Sequence, residues 1–126
     1  MPQEQLRNRT KAFAVAVVHF YRALPKNEEG RTLGRQLLRA GTGVGANYRA
    51  ACRPRSDADF IAKLGTVIEE CDETAFWLEM MLEVRLTAAH QVNELLEEAD
   101  ELTRIFVASR ETVRRRLRQN KRFNQA

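Results

Sequence analysis

Three observations on this 126-residue chain predict an all-α fold, an up-down-up-down four-helix bundle. Apolar residues recur at steps of three and four along four long segments, the spacing of one helix face. Beyond Met1–Leu24 no segment alternates polar and apolar over a strand length, and the sequence holds only 3 Pro and 6 Gly. The connections are short, and short connections make consecutive helices antiparallel neighbours. At this length the chain forms one domain, residues 1–126, with a basic C-terminal tail from about 114 to 126.

The first helix is expected from about Pro2 to Leu24, because proline suits a first turn whose amides lack partners. Leu6, Thr10, Phe13, Val17, Tyr21 and Leu24 form its inward stripe. Val15, Ala16 and Val18 extend the apolar surface around the helix, and a helix apolar on several sides buries several sides. His19 falls in this belt and reads as a hydrogen-bonded structural histidine. Pro25 stops the helix.

The second helix begins near Glu28–Arg31, where acids suit the positive end of the helix dipole. Leu33, Leu37, Ala40, Val44, Tyr48 and Ala51 carry its core face, and Arg31, Arg35, Arg39, Arg49 and Arg53 make its surface basic. Gly41, Gly43 and Gly45 interrupt it, each at a cost of about 0.5–1 kcal/mol in a helix interior. The segment GTGVGAN is not GxGxxG, follows no strand and precedes no lysine, so it is not read as a phosphate loop. Gly41 and Gly45, four apart, instead let a neighbouring helix come close. The helix is expected to continue through them, with or without a kink, and to end before Pro54.

The third helix carries the clearest start signal. Ser56 precedes Asp59 by three residues, an acidic variant of the capping box. Phe60, Leu64, Val67, Cys71, Ala75, Leu78 and Leu82 then mark one face to about Arg85, a length of roughly 40 Å. Phe76, Trp77, Met80, Met81 and Val84 add apolar bulk off that stripe. The fourth helix is expected to start from a Thr87 cap and reach Arg118, with its seam at Val92, Leu95, Ala99, Leu102, Phe106, Ser109, Val113 and Leu117.

Charge is segregated along the chain. Residues 57–101 hold thirteen acids and two bases, a net of −11, and the remainder holds four acids and nineteen bases, a net of +15, which together give the overall +4. Such asymmetry suits nucleic-acid binding or head-to-tail self-association, and equally solvated helix faces that neutralise one another within the fold. The densest cluster is Arg114, Arg115, Arg116, Arg118, Lys121 and Arg122, denser than capping a helix C-terminus requires. These six are the candidate phosphate-binding residues, acting by counterion release without base readout. Arg35 and Arg39 of the second helix are candidates for structural ion pairs with Glu69 and Glu70 of the third. The surplus apolar residues Val15, Val18, Trp77, Met80 and Met81 are the candidate self-association surface.

No catalytic machinery is visible. Cys52, Cys71, His19 and His90 show no metal-ligand spacing, and the paired acids lack the Glu-x-x-His of a di-metal bundle. Cys71 lies on an apolar stripe and reads as a buried reduced thiol. No cofactor is expected. The longest apolar run, Ala12–Val18, is far short of the ~20 residues of a membrane span, and the N-terminal segment lacks the regions of a secretory signal. The cytoplasm is the expected location.

From Gly34 to Met81 the chain reads GRQLLRAGTGVGANYRAACRPRSDADFIAKLGTVIEECDETAFWLEMM. In its Arg35-x-x-x-Arg39, Val44-Gly45-Ala46-Asn47, Arg55-Ser56, Phe60 and Glu69-Glu70 it resembles the four-helix bundle proteins of bacterial 23S rRNA intervening sequences, also labelled S23 ribosomal proteins. A looser match of the outer helices extends the resemblance over nearly the whole chain. The resemblance implies a homopentameric ring. It also implies kinship with the accessory variability determinant of diversity-generating retroelements, which binds nucleic acid and a reverse transcriptase.

Two functions from different classes follow. One is a non-enzymatic oligomeric accessory protein that binds RNA or DNA through basic surface. The other is a protein-interaction scaffold whose arginines serve salt bridges within and between subunits.

Overall fold

The apolar stripes fold into four helices in a computed structural model that describes residues 2–125. They are α1 (Gln3–Arg22), α2 (Glu28–Ala51), α3 (Asp57–Glu83) and α4 (Ala89–Gln125). Each packs on the next, α4 closes on α1 along a thinner seam, and α1/α3 and α2/α4 occupy opposite corners. The chain is thus an all-α, up-down-up-down four-helix bundle.

Helix starts follow local chemistry. Pro2 is extended and stands just before α1, so the helix opens at Gln3. The Asn27 side chain accepts from the Gly30 amide at 2.8 Å and caps α2. Ser56 Oγ accepts from the Asp59 amide at 3.0 Å, while the Asp59 carboxylate accepts from the Arg55 amide at 2.9 Å. The reciprocal bond of a capping box therefore lands one residue before the cap. The expected Thr87 cap is not where α4 begins: α3 ends at Glu83 and α4 at Ala89 starts two residues later than Thr87.

The α3–α4 turn has a specific geometry. Leu86 N donates to Met81 O at 2.9 Å and Arg85 N to Leu82 O at 3.1 Å. With Arg85 at φ 55°, this is a Schellman ending built without glycine. Leu86, half-buried, packs on the core.

The core is a single cluster drawn from all four helices. Leu37, Leu64, Leu78, Leu102 and Phe106 are wholly buried, and each such side chain stabilises by about 1.5–3 kcal/mol. Tyr48 and Phe106 stack at 5.3 Å across one diagonal. On α1 Phe20 is buried and Tyr21 only half-buried, so the stripe turns inward one residue earlier than expected.

The α3 stripe also rotates. After Cys71 it continues through Thr74, Leu78 and Met81 rather than Ala75 and Leu82. Thr74 tolerates burial because its hydroxyl donates to the Glu70 carbonyl at 2.7 Å. Thr10 on α1 donates to the Arg7 carbonyl at 3.0 Å for the same reason. His19 is exposed, not a buried structural histidine, because it lies opposite Val17 and Phe20 on the outward side of α1.

Helix α2 runs unbroken through its glycines, which serve two interfaces at once. A Cβ on Gly41 would lie 2.7 Å from Val17 Cγ2, so its absence sets how closely α1 and α2 pack. A Cβ on Gly43 would lie 2.9 Å from Glu70 Oε2, so Gly43 makes room for a carboxylate of α3.

Candidate nucleic-acid interface

Bundle order turns the charge segregation of the sequence into sides of a molecule. Residues 2–55, comprising α1 and α2, hold eleven bases and three acids, a net of +8. The acidic span covers α3 and the first third of α4, which pack against one another. Residues 104–122 on α4 hold eight bases and one acid, a net of +7. Two basic regions therefore flank an acidic edge.

The six C-terminal cations do not sit on a loose tail, since α4 continues as helix to Gln125. Arg114, Arg115, Arg118, Lys121 and Arg122 lie on one side of the helix, all exposed and off the Phe106–Val113 stripe. Arg116 points elsewhere: its Nη2 pairs with Asp57 Oδ1 at 3.1 Å and ties α4 to the start of α3. Arg118 Nη2 meets Glu111 Oε1 at 2.9 Å, and this guanidinium holds the Glu111 carboxyl below its usual range. Arg114, Arg115, Lys121 and Arg122 have no carboxylate at salt-bridge distance among the described residues.

Of the four residues expected to pair between α2 and α3, Arg35 and Glu69 are exposed and make no salt bridge among the described residues. Arg39 meets Glu73 instead, Nη2 to Oε1 at 3.7 Å. The same oxygen accepts from Trp77 Nε1 at 3.3 Å. Glu70 lies over Gly43, where burial and then the Glu73 charge push its carboxyl above the usual range, while Arg39 pulls it back.

The candidate self-association residues are divided. Met81 is 0 % exposed and belongs to the subunit's own core, a correction that follows from the rotated α3 stripe. Val15 is 46 % exposed on α1, and Trp77 and Met80 are half-buried on α3, at the opposite corner of the bundle. They form separate faces. Phe76, 50 % exposed, meets Trp77 edge-on at 4.9 Å, and with Met80 and exposed Val84 extends an apolar strip along α3.

Two features escaped sequence reasoning. Arg9 of α1 grips Glu98 of α4 through Nε and Nη2 at 2.8 and 2.7 Å, with Glu101 Oε2 at 3.1 Å. A groove of about 360 Å³ also runs between α1 and α2, with Arg7, Asn8 and Lys11 on one wall and Thr42 and Arg49 on the other. The density of bases in α1 and α2 was the available signal, but antiparallel pairing was needed to bring Arg7 and Arg49 to one groove.

Among the described residues no three potential metal ligands come together, and no helix is long and apolar enough to cross a membrane. Burial pushes the Cys71 thiol up to about 12, leaving it protonated at neutral pH.

The bundle has a counterpart of known structure. It is similar to a protein of unknown function from the S23 ribosomal protein family of Bacteroides thetaiotaomicron VPI-5482, with a TM-score of 0.82 at 29 % identity over 88 % of this chain and 99 % of that one. No curated protein matches the sequence. The family model for the 23S rRNA-intervening sequence protein matches residues 3–108, which take in α1, α2, α3 and the first half of α4 but not the C-terminal cations. The chain belongs to that family.

Proposed function

We propose that this protein is a non-enzymatic, cytoplasmic, oligomeric bundle that binds nucleic acid as an accessory protein through its basic surface. The observation that carries the reading is the exposed stripe of Arg114, Arg115, Arg118, Lys121 and Arg122 on the C-terminal third of α4. All five are exposed, and apart from Arg118, which pairs with Glu111, none has a carboxylate at salt-bridge distance among the described residues. Polyphosphate backbones are the partners that such a stripe serves best, by releasing condensed counterions. The assembly proposed is a homopentamer. The Phe76–Val84 strip supplies apolar surface for it, and the number five rests on the resemblance of the Gly34–Met81 region alone.

A second reading is a scaffold without a nucleic-acid role. It is favoured by the arginines already engaged within the subunit, Arg9, Arg39, Arg116 and Arg118. Duplex DNA and structured RNA titrated over a range of salt into the intact chain and into one ending at Val113 separate the two. The nucleic-acid reading expects salt-steep binding that weakens on truncation. Equal affinity of both chains removes the C-terminal stripe as the surface, and no binding by either at low salt leaves the scaffold.

A further inference from the structure

The α1–α2 groove is built differently from the C-terminal stripe. Its two walls are antiparallel helices, and its cations stand on both of them. Arg7 and Lys11 stand one turn apart on α1, about 6 Å along the axis, and Arg49 reaches in from α2. All three are exposed, and none has a carboxylate at salt-bridge distance among the described residues. Asn8 adds an amide donor. Thr42 does not, because its hydroxyl proton goes to the Leu38 carbonyl at 2.6 Å. The floor is low, made by Ala14, Gly45 and Ala46.

What lines the groove selects the ligand. It is open, and no aromatic side chain lines it, so no base can stack there. With cations on both walls and a second one a turn along α1, the groove offers charge for more than one phosphate, which suits an extended polyanion. Glu4 at the N-terminal end of α1 is the one acid in the lining.

We infer that the α1–α2 groove is a phosphodiester-backbone site, in which Arg7, Lys11 and Arg49 hold consecutive phosphates of one nucleic-acid strand. The inference rests on the nucleic-acid reading above and adds to it a second surface, on a different face from the end of α4. Its recognition is of backbone, not sequence.

The test measures binding of a single-stranded oligonucleotide and of a duplex across a salt series to the full chain and four variants. Arg7→Gln/Lys11→Gln/Arg49→Gln should weaken binding about tenfold or more at low salt and flatten the salt slope by about 2–3. Ala46→Glu, at an exposed floor position, should weaken it without removing any base. Glu4→Gln should tighten it about twofold by removing the one repelling charge, a gain that damage to the fold cannot mimic. The fourth variant, truncated after Val113, reports the C-terminal stripe separately. Thermal melts and sedimentation should match the parent for the three groove variants. Binding by the parent that is indifferent to all three groove variants overturns the groove while leaving the nucleic-acid reading intact. No binding by the parent overturns both. Groove-dependent capture of polyglutamate but not of nucleic acid overturns the phosphodiester assignment in favour of an acidic protein partner.

Discussion

Arg9 on α1 and Glu98 on α4 form two parallel hydrogen bonds, Nε to Oε2 at 2.8 Å and Nη2 to Oε1 at 2.7 Å. They bridge the thinnest seam of the bundle, where few backbone segments of α1 and α4 approach. A planar, two-pronged pair of this kind is worth more than a single-point surface contact. Replacing Arg9 with Met, which retains the apolar stem, should lower unfolding free energy by about 1 kcal/mol. A double-mutant cycle with Glu98→Gln checks this, and a coupling near zero would mean that the pair is ornamental.

Two glycine substitutions should act in opposite directions. Gly41→Ala gains about 1 kcal/mol of helix propensity but forces a methyl to within 2.7 Å of wholly buried Val17. Overpacking of that kind costs about 1–3 kcal/mol, so net destabilisation is expected. Gly65→Ala meets nothing within 4 Å and keeps the propensity gain. Urea midpoints of the two variants should therefore fall on either side of the parent.

Arg85 holds a left-handed backbone, φ 55°, at the end of α3. Only glycine occupies that region without steric cost, and a residue with a Cβ bears roughly 1 kcal/mol there. Arg85→Gly should raise the melting temperature by about 3–5 °C. Arg85 makes no salt bridge among the described residues that would offset the gain.

Glu70 gives stability a pH dependence of unusual sign. Burial first, and then Glu73, raises its folded-state affinity for a proton. Above that raised range the folded state carries an unfavourable charge. As pH falls through it the folded state protonates first, so this contribution to stability grows as pH falls and is complete below the ordinary glutamate range. Glu70→Gln should therefore stabilise at neutral pH, by less than about 1 kcal/mol after allowing for solvent screening. The difference in melting temperature from the parent should shrink toward acid pH. A difference constant from neutral to acid pH would mean that Glu70 keeps an ordinary proton affinity.

The helices were legible because burial imposes a period, and a period survives in the order of residues. Leu64, Val67, Cys71 and Leu78 could be placed from their steps alone. The departures arose where two registers compete. Phe20 and Tyr21 both continue the α1 stripe, and Thr74 or Ala75 both continue that of α3. Only the packing partner chooses between them, and choosing Thr74 is what draws Met81 into the core. Side-chain pairs between distant segments carry no period. Nothing in the order of residues distinguishes Arg9 from Arg7, yet one locks to Glu98, 89 residues away, and the other lines a groove. The ends of α4 were misplaced for a further reason: the Arg85 turn delays its start, and its finish is not set by burial at all.

That finish has a consequence of its own. From Arg118 to Gln125 every residue of α4 is exposed, so about 12 Å of helix has no tertiary support. The segment needs no nucleus, because the packed part of α4 already supplies one, and each added residue is held by a propagation step close to balance. Repulsion among its cations pulls that balance toward coil, and dissolved salt relieves the repulsion. The length of α4 should therefore respond to ionic strength, and the amides of its last two turns should exchange with solvent long before those beside Phe106.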